Sequence, residues 1–125
     1  MREIKFRAWD PNDKRMVEWE ELLPYITTNN EHESMQRLLN RCMQYTGLKD
    51  KNGVEIYERD IVKNKWDLVC EVDWNETIAS FRLFGKEGIQ GLEWDWALST
   101  SRIKKEKLEV IGNIYENPEL LEQAS

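Results

Sequence analysis

The sequence predicts a mainly β protein, a small barrel with an N-terminal β-hairpin and short helices. Three observations predict it. Apolar residues alternate with polar ones over short runs, which is the pattern of a half-buried strand. Beyond residue 53 these runs recur about every ten residues, each bounded by turn residues, as in a β-meander. Six tryptophans stand among 125 residues, and each ring can bury on the order of 150–250 Å² of a small core.

The first strand covers residues 3–9. Ile4, Phe6 and Ala8 share one face, with Lys5, Arg7 and Trp9 on the other. Asp10-Pro11-Asn12-Asp13 is turn chemistry, because Pro presets φ and Asn and Asp bond their own backbone. Arg15 to Glu20 reads as the returning strand, carrying Val17 and Trp19. Pro24 and Thr27-Thr28-Asn29-Asn30 read as a loop. Met35, Leu38, Leu39 and Cys42 then fall at i, i+3, i+4 and i+7, one face of a short helix that Ser34 would cap.

Met43 to Gly53 reads as two turns, the second a tight type I′ turn at Asn52-Gly53. Val54 and Ile56 begin a short strand, Tyr57 to Asp60 bends, and Ile61-Val62 starts another. The clearest strand is Asp67 to Trp74, with Leu68, Cys70, Val72 and Trp74 on one face. Asn75-Glu76-Thr77 turns the chain into Ile78 to Phe84, where Ala79, Phe81 and Leu83 alternate. Gly85 to Gly91 is a loop. Trp94, Trp96 and Leu98 alternate, and Leu108 to Tyr115 is the last strand. Asn117-Pro118 opens a terminal helical turn. Closing such a meander into a barrel removes the strand edges that invite aggregation.

Composition limits the function. The net charge of −6 makes the whole chain a poor polyanion binder, since such affinity comes from Lys and Arg neutralising phosphates. A local basic patch can override the total. Arg102, Lys104, Lys105 and Lys107 are the nucleic-acid candidate, and a solvated strand face or loop accounts for them equally well. No apolar run approaches the roughly 20 residues that span a bilayer, and the charged N-terminus lacks the apolar segment of a signal peptide. A cytoplasmic protein is expected, with no membrane partner. Cys42 and Cys70 fit two free thiols in a reducing compartment.

No catalytic set is legible. His32 stands alone between Glu31 and Glu33 without a metal-ligand spacing. Asp73 with Glu76, or Glu93 with Asp95, would be acid–base pairs, but three of these four alternate with tryptophans as the solvent face of a sheet does. Gly85 to Gly91 lacks the GK[ST] ending of a phosphate loop. Glu93 and Asp95 beside Trp94 and Trp96 would repel a phosphate backbone. An acidic, tryptophan-rich surface suits a protein partner, or a DNA-mimicking role. No cofactor, metal or catalytic residue is expected.

Three stretches resemble the YopX family of phage and prophage proteins. They are Met1 to Asp10; Met43 to Gly53 running on to Ile56-Tyr57-Glu58-Arg59-Asp60-Ile61-Val62; and Glu109 to Leu121. The likeness covers essentially the whole chain. The family's middle motif usually has glycine where this chain has Arg59, so Arg59 is strained if that position needs φ > 0. The resemblance implies an SH3-like barrel over residues 43–125 with a C-terminal helical turn, after an N-terminal hairpin with a loop or short helix over 1–42. It implies self-association, a phage or prophage origin and the bacterial cytoplasm, and no activity or cofactor.

The expectation is a non-enzymatic, self-associating module that binds a host or phage protein. A nucleic-acid-associated factor is the alternative. Tyr45, Gly47, Ile56, Tyr57, Asp60, Ile61, Trp74, Phe81, Ile111, Gly112, Ile114 and Tyr115 should form the core and its turns, with Asp60 capping a bend.

Overall fold

The computed structural model describes residues 3–27, 40–85 and 94–123. The chain divides into two compact units, Met1–Tyr45 and Thr46–Ser125. In the first, β1 (Phe6–Asp10) and β2 (Arg15–Val17) form an antiparallel hairpin with Ala8 opposite Val17. The Asp10 carboxylate makes its turn, accepting the N–H groups of Asn12 at 3.0 Å and Asp13 at 3.3 Å.

The returning strand stops at Val17, three residues short of the expected Glu20. Helix α1 (Trp19–Thr27) follows, where a loop was expected. The Glu18 carbonyl captures the N–H of Leu22 at 2.9 Å and starts it. Glu20 and Glu21 in the first turn suit the positive end of the helix dipole. Pro24 lies inside this helix and has no N–H to give. Leu22, Ala8 and Val17 bury together, with Phe6, Trp19 and Cys42 packed against them. The helix expected from Ser34 through Leu39 lies outside the described residues. Cys42 opens β3 (Cys42–Lys49), whose Cys42–Gln44 part pairs with β1.

Met43 to Lys49 is therefore strand, and the two expected turns reduce to one at Asp50–Gly53. Gly47 fits inside the strand with φ +87. Gly53 has φ +80, while Asn52 is not left-handed. A type I′ turn needs both residues left-handed. The chain instead uses a three-residue loop: the Gly53 N–H reaches the Asp50 carbonyl at 3.0 Å, and the Asp50 N–H reaches that of Val54 at 2.8 Å.

In the second unit, β4 (Glu55–Tyr57) neighbours β3. A five-stranded sheet follows, from β5 (Asp60–Lys63), β6 (Val69–Asn75), β7 (Ser80–Gly85), β8 (Trp94–Ala97) and β9 (Glu109–Asn113). Its order is β8-β7-β6-β5-β9. The meander thus runs to one edge, and the last strand returns beside the first, in the SH3-like order. Opposite β5 the ladder steps from Ile61–Gly112 to Val62–Val110, leaving Ile111 as an extra residue of β9. Such a bulge bends its strand and increases the local twist, and the sheet is a curled half-barrel.

Ile56, Val62, Cys70, Val72, Phe81, Leu83, Leu98, Ile103 and Leu108 form the core. Alternation predicts most of the inner positions of β6 and β7. Ile61 and Tyr57 are buried as expected, and Tyr45 is buried in the first unit. Trp74 is not core; it is 42% exposed. It stands one pair from the end of the β6–β7 ladder, opposite Phe81, where few neighbours cover it. Ile111, Ile114 and Tyr115 are half-buried.

Two short helices complete the unit. Residues 100–106 form α2 (Thr100–Glu106) rather than a strand face or loop. The Ser99 hydroxyl caps it by accepting the Arg102 N–H at 3.1 Å. Helix α3 (Glu119–Gln123) follows Asn117-Pro118. The Asn117 carbonyl accepts from Leu120 at 3.1 Å, but its side chain turns back to the Asn113 N–H at 3.3 Å. That return requires Gly112, because a Cβ there would stand 2.3 Å from Asn117 Oδ1.

Candidate functional site

Strand β6 has a turn at each end, with an exposed tryptophan in the first (Trp66) and another just before the second (Trp74). At its start, residues 64–68 link β5 to β6. The buried Asn64 amide oxygen shapes this turn, accepting the N–H groups of Trp66 at 2.9 Å and Leu68 at 3.0 Å. Asp67 follows with φ +60. Trp66 is consequently held outward and is 65% exposed. The Lys65 ammonium lies 4.6 Å from its ring centroid.

The same turn abuts the end of α2. The Lys65 N–H donates to the Glu106 carbonyl at 2.8 Å, and the Lys51 N–H donates to the Leu108 carbonyl at 3.1 Å. Lys51, Lys65 and the residues around 104–107 are thereby gathered at one end of the barrel. Ile103 and Glu106 point inward, so Lys104, Lys105 and Lys107 are exposed. Arg102 is half-buried and lies 3.8 Å from the Glu106 carboxylate. Lys63 is neutralised by Asp67 at 3.6 Å and Glu109 at 3.5 Å. The structure thus places the four basic candidates together, Arg102 partly turned to a carboxylate. Sequence reasoning did not connect Lys51, Lys65 and Trp66 with this run, because they are far from it along the chain. The backbone bonds of Lys51 to Leu108 and Lys65 to Glu106 show that they are neighbours.

At the other end of β6, residues 76–79 link β6 to β7. Ile78 is 50% exposed at the tip. Trp74 meets Phe81 edge-on at 5.1 Å and leaves much of its ring in solvent. Ala79 closes the turn with φ +50. This end exposes two large apolar side chains, Trp74 and Ile78, beside Glu76, whereas the first is basic.

The outer strip of the sheet carries charge. Arg82 forks onto Asp73 at 2.6 and 3.2 Å across the β6–β7 pair. Glu76 sits exposed in the turn, so the imagined Asp73–Glu76 pair is an ion-paired strand residue beside a solvated one. Burial pushes the Glu71 carboxyl above its ordinary range; Asp73 adds to this and Arg59 opposes it. Arg59 does adopt φ +71, the conformation for which the family's glycine is suited. Asp60 caps that bend, accepting the Tyr57 N–H at 2.7 Å.

Cys42 and Cys70 are both free thiols. Burial alone pushes Cys70 up to about 12, so it is a packing residue rather than a nucleophile. His32, Glu93 and the loop 86–91 lie outside the described residues. Among the described residues, no helix is long and apolar enough to cross a membrane.

Comparison with known proteins fits this architecture. The YopX protein family model matches residues 5–122. The chain belongs to the YopX family. Among solved structures it is similar to the crystal structure of protein EF1440 from Enterococcus faecalis, at 25% identity and a TM-score of 0.51. That likeness covers 97% of this chain and 99% of the other. It supports a small β fold for this YopX member. No curated protein matches the chain.

Proposed function

We propose that this YopX chain is a phage- or prophage-encoded accessory protein of the bacterial cytoplasm. It works without catalysis, self-associating and binding a host or phage protein. The observation that carries this reading is the apolar end of the β6–β7 hairpin. Trp74 and Ile78 stay exposed there, although the same strands bury Val72 and Leu83 completely. Tryptophan is enriched at interfaces and among the residues that dominate their binding energy.

Two measurements test it. Light scattering should give a particle heavier than the 15.0 kDa chain, and Ile78→Asp should return it to monomer mass. Affinity capture from bacterial lysate should retain one protein through nuclease and high salt, and lose it with Trp74→Ala. A monomer that captures nothing under both treatments would overturn the reading.

A further inference from the structure

We propose that the opposite end of β6, with Trp66 as a stacking platform among Lys51, Lys65, Lys104, Lys105 and Lys107, binds single-stranded nucleic acid. Three observations carry it, and none involves the apolar hairpin end.

The first is charge. The chain is acidic overall at −6, yet these five lysines converge on one end of the second unit. Two backbone hydrogen bonds fix that convergence, Lys65 to Glu106 at 2.8 Å and Lys51 to Leu108 at 3.1 Å. Lys105 and Lys107 flank Glu106, so their Cα atoms lie about 3.8 Å from its own.

The second is the fate of the carboxylates. Those at this end are partly offset by cations other than the five lysines. Asp67 and Glu109 face Lys63, and Glu106 is buried and faces Arg102. The Asp50 carboxylate is buried and accepts the N–H groups of Asn52, Val54 and Val110. Among the described residues, no carboxylate pairs with Lys51, Lys65, Lys104, Lys105 or Lys107. Seven cations there, the five lysines with Lys63 and Arg102, outnumber the four carboxylates Asp50, Asp67, Glu106 and Glu109, and a patch like this can override the total charge.

The third is Trp66 itself. Lys104 and Lys105 alone have a simpler explanation, because cations in the last turn of α2 stabilise its negative end. That does not account for an indole held 65% exposed by a turn whose Asn64 amide oxygen accepts the N–H groups of Trp66 and Leu68. The Lys65 ammonium lies over one face of the ring, 4.6 Å from its centroid, and a base stacked on the other face would have phosphates alongside these cations. A duplex hides its base faces, and an acidic protein or lipid surface has none. The exposed ring therefore selects a single strand among polyanions.

The test is fluorescence anisotropy of a labelled 20-nucleotide oligothymidine against the full chain. Unlabelled duplex DNA and polyglutamate serve as competitors. Binding should weaken steadily as salt rises, because phosphate contacts release counterions. Trp66→Ala should weaken it roughly tenfold, within the range seen for stacked bases. Lys104→Gln with Lys107→Gln should lower the slope of log affinity against log salt by about 1 to 2. Circular dichroism on each variant separates lost binding from lost fold, and Trp66→Phe should retain most of the affinity if misfolding is not the cause. Absence of salt-sensitive binding overturns the proposal. So does equal competition by duplex DNA or polyglutamate, or a folded Trp66→Ala that binds like the parent. Ile78→Asp should bind the oligonucleotide normally, so this proposal and the protein-binding reading can fail separately.

Discussion

Asp10 in the first unit and Asp50 in the second do the same job with the same atoms. Each carboxylate gathers the N–H groups of a turn. Asp10 does so where water competes, and its two bonds lie at the exposed surface. Asp50 is 6% exposed and also takes the Val110 N–H at 2.9 Å, 60 positions along the chain. It therefore ties a local turn to the last strand of the sheet. The difference teaches that turn chemistry legible in sequence has no fixed energetic value. A surface bond exchanges with water for little net gain. A buried donor left unpaired costs about 1–3 kcal/mol.

The sharpest way to break this comparison is Asp50→Ala, which strands three N–H groups at once. It should lower unfolding stability by about 3–4 kcal/mol, read by urea denaturation. A loss under about 1 kcal/mol would show that water reaches the turn. Gly112→Ala should come next, at about 2–3 kcal/mol, because the new methyl displaces the Asn117 side chain. Adding Asn117→Gly should recover part of that loss, whereas backbone strain would leave it unchanged. Asp60→Ala should lower stability by about 2 kcal/mol through the lost Tyr57 bond, read as a lower melting temperature. Asp10→Ala should cost about 0.5–1 kcal/mol at most.

Glu71 sharpens the comparison from the other side. Its carboxyl is raised chiefly by burial, with the nearby Asp73 charge adding to it and Arg59 opposing it. Because its folded value lies above the unfolded one, its ionisation opposes folding. That penalty is absent below the unfolded value near 4.5 and complete above the folded one. Glu71→Gln should therefore stabilise the protein at pH 7 and leave stability at pH 4 nearly unchanged. Equal effects at both pH values would assign the change to packing.

The same contrast explains what was legible. The β6–β7 hairpin announced itself through Cys70, Val72, Phe81 and Leu83, because one face is core and the other is not. Helix α1 did not, since Glu18 is a poor cap and Pro24 is an interior helix breaker. Val17 and Trp19 also imitate strand alternation. Helix α2 hid its period because one of its two buried positions is Glu106. The basic run from Arg102 to Lys107 is contiguous and legible as a run, but Lys51, Lys65 and Trp66 come beside it only through the fold, which local pattern does not encode. Trp74 was misplaced because alternation reports a face and says nothing of how near the end of a ladder a residue stands.

Strand β5 lies between β6 and β9, with Asp60 opposite Asn113. One side of it zips to a neighbour a few residues away, while the other waits for a partner some fifty residues later. On a translating ribosome, β5 through β8 would emerge with the β9 side of β5 still open. Contacts of this sequence separation are what slow small β proteins. Until Glu109–Asn113 arrives, the growing sheet carries a bare edge, the period in which a nascent chain is most prone to pair with another copy of itself.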